Sequence, residues 1–157
     1  MAISKVKDYF NQFNMKDKVL EFDVSSATVE LAAKALNTEP GRIAKTISFK
    51  VNDLPILIVT AGDVKIDNHK YKGYFSTKAK MLQFDEVEPL IGHAVGGVCP
   101  FAINDDVKVY LDESLKAYDF IYPACGSSNS AIKLTPEELE KYSCNFVSWI
   151  DVTKPME

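Results

Sequence analysis

The chain has 157 residues, of which 46% are hydrophobic and 25% are charged, and its net charge at pH 7 is −4. This length predicts one compact domain spanning 1–157, and the negative charge argues against a protein that coats nucleic acid. No apolar run approaches the ~20 residues that a membrane span needs.

Two features of the sequence, its N-terminal segment and its cysteine content, bear on the compartment and the cofactors of the protein. The segment 1–5 leads directly into an amphipathic stretch and lacks a signal-peptide core, so we expect a cytoplasmic protein. Three cysteines (Cys99, Cys125 and Cys144) contain no CxxC pair, and only two histidines accompany them. We therefore expect no disulfide framework, no metal site and no cofactor.

The first elements of the chain are a helix, a strand and a second helix. Apolar residues recur at helical spacing over 4–13, which predicts an amphipathic helix. A short strand is expected over 18–24. Ser25 and Ser26 are candidate N-caps for a helix that ends at Leu36.

A β-hairpin is the clearest pattern in the chain. The runs 43–51 and 54–61 are joined by Asn52 and Asp53, a typical hairpin turn. The second run is apolar on both faces through 56–59, which predicts a central strand.

The second half alternates short helices and strands. Asp67 and Asp85 are candidate caps of helices that end at Tyr74 and Leu90, and Thr135 before a proline starts a third helix. Strands are predicted over 107–111, 120–122, 131–134 and 146–151. The pattern predicts an α+β fold, with a mixed, mostly antiparallel sheet and short helices packed around it.

Lys45 is the most informative single residue. Side chains alternate along a strand, so Lys45 shares one face of 43–51 with four large apolar residues, and that face is predicted to be the core side. Burial of an ammonium group is costly. Lys45 therefore either extends to water at the strand end or reaches a polar cleft.

Charge is distributed unevenly along the chain. Between Arg42 and Lys80 there are eight basic residues and three acidic ones, although the whole chain is acidic. This asymmetry predicts one local anion-binding face. An ordinary solvated surface is the alternative.

Two loops are candidates for ligand binding. Successive amides around the glycine pair of Gly96-Gly97-Val98-Cys99-Pro100 can form an anion nest or an oxyanion site, or the segment is an ordinary turn. The loop 126–130 offers hydroxyls and amides to a ligand, or is a flexible hairpin loop. His93 is either a base or phosphate ligand, or structural. We expect Cys99 to pack in the core.

Several common catalytic signatures are absent from the sequence. It contains no GxxxxGK[ST] loop, no GxGxxG, no GxSxG and no HExxH. If the protein is an enzyme, its chemistry rests on backbone donors, a cation and the substrate itself.

Three segments, in chain order, resemble the YbaK/prolyl-tRNA synthetase-associated editing family: 27–33, 42–50 and 96–100. The similarity continues through 126–134 and covers most of the chain. The resemblance implies a free-standing α+β editing domain that deacylates mischarged tRNA. It places the family's essential lysine on Lys45 and its GxxxP loop on Gly96 and Pro100.

The resemblance and the patterns above give three sets of candidate residues. The catalytic set is Lys45, Gly96, Gly97 and Pro100. The substrate-binding set is Thr28, His93, Gly126, Ser127 and Ser128. The tRNA-binding set is Lys65, Lys70, Lys72, Lys78 and Lys80.

The partner that the resemblance implies is the acceptor end of a mischarged tRNA, with an aminoacyl-tRNA synthetase as a second partner and neither DNA nor a membrane. Attack on the ester is by water activated by the terminal ribose hydroxyl, or by the thiol of a cysteinyl substrate, and the sequence does not choose between them. Two alternatives stay open: a non-catalytic sensor of charged tRNA or amino acids, and a small amino-acid esterase.

Overall fold

The computed structural model describes residues 2–156 as five α-helices and nine strands with short 3₁₀ turns. The helices are α1 (Ala2–Asn11), α2 (Val29–Leu36), α3 (Asn68–Phe75), α4 (Phe84–Ile91) and α5 (Pro136–Tyr142). The strands are β1 (Leu20–Glu21), β2 (Ile43–Val51), β3 (Leu54–Thr60), β4 (Val64–Ile66), β5 (Lys108–Asp112), β6 (Tyr122–Pro123), β7 (Ser130–Ala131), β8 (Phe146–Ile150) and β9 (Thr153–Pro155).

The main sheet has the strand order β6-β2-β3-β5-β8. Its longest pairing is the antiparallel β2–β3 hairpin, and the other three pairings in this sheet are parallel. Two antiparallel pairs, β1–β7 and β4–β9, lie outside it. The predicted α+β fold with a mixed sheet is confirmed, and so is the central position of β3.

The sheet is covered on both faces, and this corrects one expectation. Leu57 and Val59 of β3 belong to the larger core, whereas Ile56 and Ile58 belong to a second cluster on the opposite face. The face of β2 that carries Lys45 was predicted to be the core side. It holds only the smaller clusters, because helices cover both sides of the sheet.

Two predicted helix caps are wrong, because the helices start at other residues. The N-cap of α2 is Thr28, whose hydroxyl accepts a hydrogen bond from the Leu31 N–H, rather than Ser25 or Ser26. The N-cap of α4 is Gln83, and the predicted cap Asp85 lies inside the first turn. The predicted caps of α3 and α5, Asp67 and Thr135, are confirmed.

The strands β4 and β9 were not predicted, and each has only three residues. The buried carboxylate of Asp112 holds the segment before and within β9. It accepts hydrogen bonds from the Val152 N–H at 2.9 Å and from the Thr153 hydroxyl at 2.7 Å. Such charge-assisted bonds tie the end of the chain to β5. No helix within residues 2–156 is long and apolar enough to cross a membrane.

Candidate functional site

A cavity of about 440 Å³ opens beside β2 and is lined mainly by apolar side chains. Residues 43–48 of β2 form one wall, and the other walls come from α2, α4, β6–β7 and the segment 96–100, which we call the glycine loop. Lys45 is the one charged side chain among the described residues that line it. An apolar cavity with a few convergent polar groups is the usual form of a small-ligand site.

The cavity exists because one edge of β2 is only partly paired. Ile43 and Ala44 pair with β6 at one end of this edge. At the other end the Ser48 carbonyl accepts a hydrogen bond from the Leu82 N–H at 3.2 Å, and the Lys50 N–H donates to the Lys80 carbonyl at 2.9 Å. The stretch between them lies beside the cavity instead of a strand.

Thr46 is the residue that this gap leaves facing the cavity. Backbone groups of alternate residues point to opposite edges of a strand, so Thr46 shares the outward direction of Ser48 and Lys50. Its side-chain Oγ1 is buried and has no hydrogen-bond partner among the described residues. The backbone N–H and C=O of Thr46 therefore face the gap, and a buried hydroxyl without a partner at the same residue is costly.

Thr46 was missed in the sequence because nothing local distinguishes it from any other strand threonine. The position of Thr46 at the cavity results from the pairing of β2 with segments that are distant in the chain. Only its position beside Lys45 could have drawn attention to it.

Lys45 is half-buried at the cavity wall, and its Nζ donates a hydrogen bond to the Val64 carbonyl at 2.5 Å. Burial lowers the pKa of Lys45, and the carboxylates of Asp63 and Glu30 oppose that shift. Of the two interpretations of Lys45, extension to water or placement at a cleft, the second fits the geometry. A partly desolvated ammonium attracts an anion more strongly than one in water.

The glycine loop contributes two residues to the cavity wall, Gly96 and Val98. Gly96 has φ +96°, a conformation that glycine adopts without strain. Gly97 packs against the next loop, and a Cβ there would lie 2.6 Å from the Gly126 carbonyl carbon. Pro100 is buried and does not line the cavity.

One part of the oxyanion hypothesis needs correction. The Gly97 N–H donates to the Ala94 carbonyl at 3.0 Å and is used to close the turn. Pro100 has no N–H to offer. Gly96 and Val98 are the loop residues that line the cavity, so their amides are the remaining candidates for this role.

His93 does not reach the cavity. It is fully buried, and its Nε2 lies 2.6 Å from the Phe101 carbonyl and 3.4 Å from the Cys99 sulfur. Burial lowers the pKa of His93 and raises the pKa of Cys99 to about 12. The structural interpretation therefore holds for His93, and the packing interpretation of Cys99 is confirmed.

The predicted substrate-binding residues are split between the wall and the layer behind it. Thr28 lines the cavity, although its hydroxyl already caps α2. Gly126, Ser127 and Ser128 do not line it. They back the glycine loop: Gly97 touches Gly126 and Ser127, and the Cβ position of Gly96 lies 3.5 Å from the Ser128 Cβ.

The five predicted tRNA-binding lysines are all exposed, and they are not equivalent. Lys70 is tied down, because its Nζ bonds the Asp151 carboxylate at 3.0 Å and the Thr153 carbonyl at 2.8 Å. Lys65 on β4 lies directly opposite Lys154 on β9. Directly opposed like charges destabilise a strand pair, so this pair is suited to bind an anion. Lys154 lay outside the basic stretch read from the sequence.

No group of three or more His, Cys, Asp and Glu side chains within residues 2–156 is arranged to hold a metal ion. The polar residues that line the cavity include Lys45, Thr46, Ser26 and Ser48, and backbone groups of β2 and the glycine loop lie at the same wall. This set can bind a neutral acyl group and polarise its carbonyl without a metal or a side-chain nucleophile.

Comparison with known proteins gives a consistent picture. The profile of the aminoacyl-tRNA editing domain matches residues 24–142. The chain is 51% identical over 158 residues to the uncharacterized protein YwhH of Bacillus subtilis, with full coverage of both. It is 30% identical to a protein of Enterococcus faecalis named as a Cys-tRNA(Pro)/Cys-tRNA(Cys) deacylase, over 71% of this chain and 70% of that one.

A solved structure described as a trans-editing enzyme for prolyl-tRNA synthetase is also similar. It superposes with a TM-score of 0.84 at 26% identity, covering 98% of this chain and 97% of the other.

The lowered pKa of Lys45 predicts a pH-dependent effect of Lys45→Met on stability. Below its folded pKa the desolvated ammonium opposes folding, and this cost disappears as pH rises toward the unfolded value near 10.5. We expect the unfolding free energy of Lys45→Met, relative to wild type, to be most favourable near pH 7 and to fall as pH approaches 10. Urea unfolding across that range measures it.

Lys50→Met is the matched control with the opposite sign, because the ion pair with Glu86 raises the pKa of Lys50. The stabilisation from that pair is present at pH 7 and is lost as pH rises through the folded pKa. Equal, pH-independent effects of the two substitutions would contradict a desolvated Lys45.

Proposed function

The chain belongs to the aminoacyl-tRNA editing domain family, and we propose that it is a free-standing hydrolase that deacylates mischarged tRNA. The observation that carries the proposal is the cavity at the interrupted edge of β2, which is lined by both Lys45 and Thr46. The whole chain acts as one editing domain. Its substrate is the acceptor end of a charged tRNA, and a synthetase is the partner that produces it.

The aminoacyl side chain occupies the apolar part of the cavity. Val29, Ile47, Leu82 and Val98 are among its lining residues. A cationic side chain would enter beside Lys45 with no carboxylate among the described lining residues to neutralise it. The substrate therefore lacks a cationic side chain, since an unpaired buried charge is strongly disfavoured.

The polar groups of the wall act on the ester. Thr46 orients the aminoacyl group through its hydroxyl, and Lys45 holds the terminal phosphate or the aminoacyl end. The Gly96 and Val98 amides stabilise the oxyanion that forms when the nucleophile adds to the carbonyl. The acyl–oxygen bond then breaks, and the ribose oxygen leaves with a proton. Because an aminoacyl ester is already activated, positioning and oxyanion stabilisation supply much of the acceleration.

The nucleophile comes from the substrate side of the reaction. Neither His93 nor Cys99 reaches the cavity, so neither serves as base or nucleophile. Water activated by the terminal ribose hydroxyl meets this requirement for any amino acid. For a cysteinyl substrate the thiol itself can attack.

The acceptor strand leaves the cavity along β4. The Lys45 ammonium already contacts the Val64 carbonyl, and the next residue, Lys65, is paired with Lys154. Phosphates that follow this line meet Lys45 first and the lysine pair second. The contact is largely electrostatic and independent of base sequence.

Thr46→Val tests the orienting role of the hydroxyl while keeping the shape of the side chain. We expect kcat/KM for deacylation to fall about 10- to 100-fold, as for the loss of one buried hydrogen bond. Stability should stay constant or rise by up to about 1 kcal/mol, because an unpaired buried hydroxyl is removed. Steady-state kinetics and urea unfolding measure the two effects.

The matched control is Thr60→Val on β3, whose buried hydroxyl donates to the Ala61 carbonyl at 3.0 Å and does not line the cavity. It should lose stability and retain kcat/KM. Full activity in Thr46→Val would remove Thr46 from the substrate site.

The lysine pair predicts a salt dependence. If Lys65 and Lys154 meet phosphates, the affinity for tRNA falls steeply with salt, and each change to glutamine lowers the slope of log K against log salt by about 0.7–0.9. Lys34→Gln on α2 is the control and should leave the slope unchanged, since Lys34 lies outside the cavity and the pair.

Binding titrations at several salt concentrations make this measurement. An affinity independent of salt would identify the lysine pair as a solvated surface and would favour a small amino-acid esterase, which has no phosphate backbone to hold.

A further inference from the structure

Phe84 is the most exposed large hydrophobic residue among those described, with 81% of its surface accessible. It is the first residue of α4 and also lines the cavity. Met81 and Val95, which are 62% and 50% exposed, line the same cavity. The apolar surface at this site therefore continues from the cavity wall into solvent, and we call these three residues the apolar rim.

The backbone that carries Phe84 is held firmly. Met81 bridges to Phe49 of β2, and the Leu82 N–H donates to the Ser48 carbonyl. At the helix start, the Glu86 carboxylate accepts a hydrogen bond from the Gln83 N–H at 2.9 Å and forms an ion pair with Lys50. The exposed ring thus projects from a rigid support, which lowers the entropic cost of using it as a contact.

We propose that Phe84 stacks on the terminal nucleobase of the tRNA acceptor end. The inference rests on the proposed function: when the acyl group fills the cavity, its ester bond fixes the terminal ribose at the opening. The terminal base, which is bonded to that ribose, then lies next to the apolar rim. Every base has an apolar face that stacks on an aromatic ring, so Phe84 positions the substrate without reading its sequence.

The first experiment compares two substrates of the full-length chain. Stacking of one base contributes about 1–3 kcal/mol, so Phe84→Ala should raise KM for mischarged tRNA roughly 5- to 150-fold, with kcat little changed. Hydrolysis of the methyl ester of the same amino acid, which has no base, should be reduced much less than hydrolysis of the tRNA. Phe84→Trp should restore KM, and Met81→Ala at the same rim should have a smaller effect.

The second experiment does not depend on catalysis. A deacylated tRNA whose terminal adenine is replaced by fluorescent 2-aminopurine should be quenched when it binds wild type or Phe84→Trp, but not Phe84→Ala. Quenching that is lost only in Phe84→Ala supports the stacking contact even if no variant deacylates tRNA, in which case only the proposed enzymatic function fails.

Two results would overturn the inference. Equal losses with tRNA and methyl ester would mean that Phe84 contacts the acyl group. Unchanged KM and unchanged quenching in Phe84→Ala would mean that the ring contacts something other than this substrate, such as a partner protein.

Discussion

The incomplete pairing of one edge of β2 is the constraint on which the rest of the site depends. β3 pairs with residues 45–51 of β2, and this continuous pairing holds β2 rigidly in place. On the other edge, β6 and the segment around Met81 pair only with its two ends. The cavity fills the missing stretch, and it presents Lys45 and Thr46 from a strand whose position is fixed by the central sheet. A site built in this way is preorganised without a mobile loop.

The low polarity of the cavity explains how a small number of polar groups can suffice for binding and catalysis. Few polar groups reach an otherwise apolar cavity, so each acts in a medium where electrostatic interactions are stronger than in water. The Lys45 ammonium is partly desolvated, and the Thr46 hydroxyl has no hydrogen-bond partner among residues 2–156. Both features reduce the stability of the empty protein. Unsatisfied groups of this kind are typical of binding sites, where the ligand supplies the missing contact.

Local patterns predicted much of the fold. The hairpin β2–β3, the central position of β3 and the caps Asp67 and Thr135 follow from alternation and capping chemistry, and all are present. The apolar strand face also identified Lys45 as unusual. What local patterns missed depends on distant pairing: the gap beside Thr46, the use of the Gly97 amide in its own turn, and the Lys65–Lys154 pair across two three-residue strands.

The most direct test of the central claim is turnover of a panel of mischarged tRNAs with enzyme at one-hundredth of the substrate concentration. Wild type should complete many turnovers on at least one tRNA that carries an amino acid without a cationic side chain. Lys45→Met should lose at least about 100-fold in kcat/KM, as for removal of one electrostatic contact to the reacting group, whereas Lys34→Met should match wild type. Tight binding without hydrolysis of any member of the panel would contradict the claim and identify the protein as a sensor of charged tRNA.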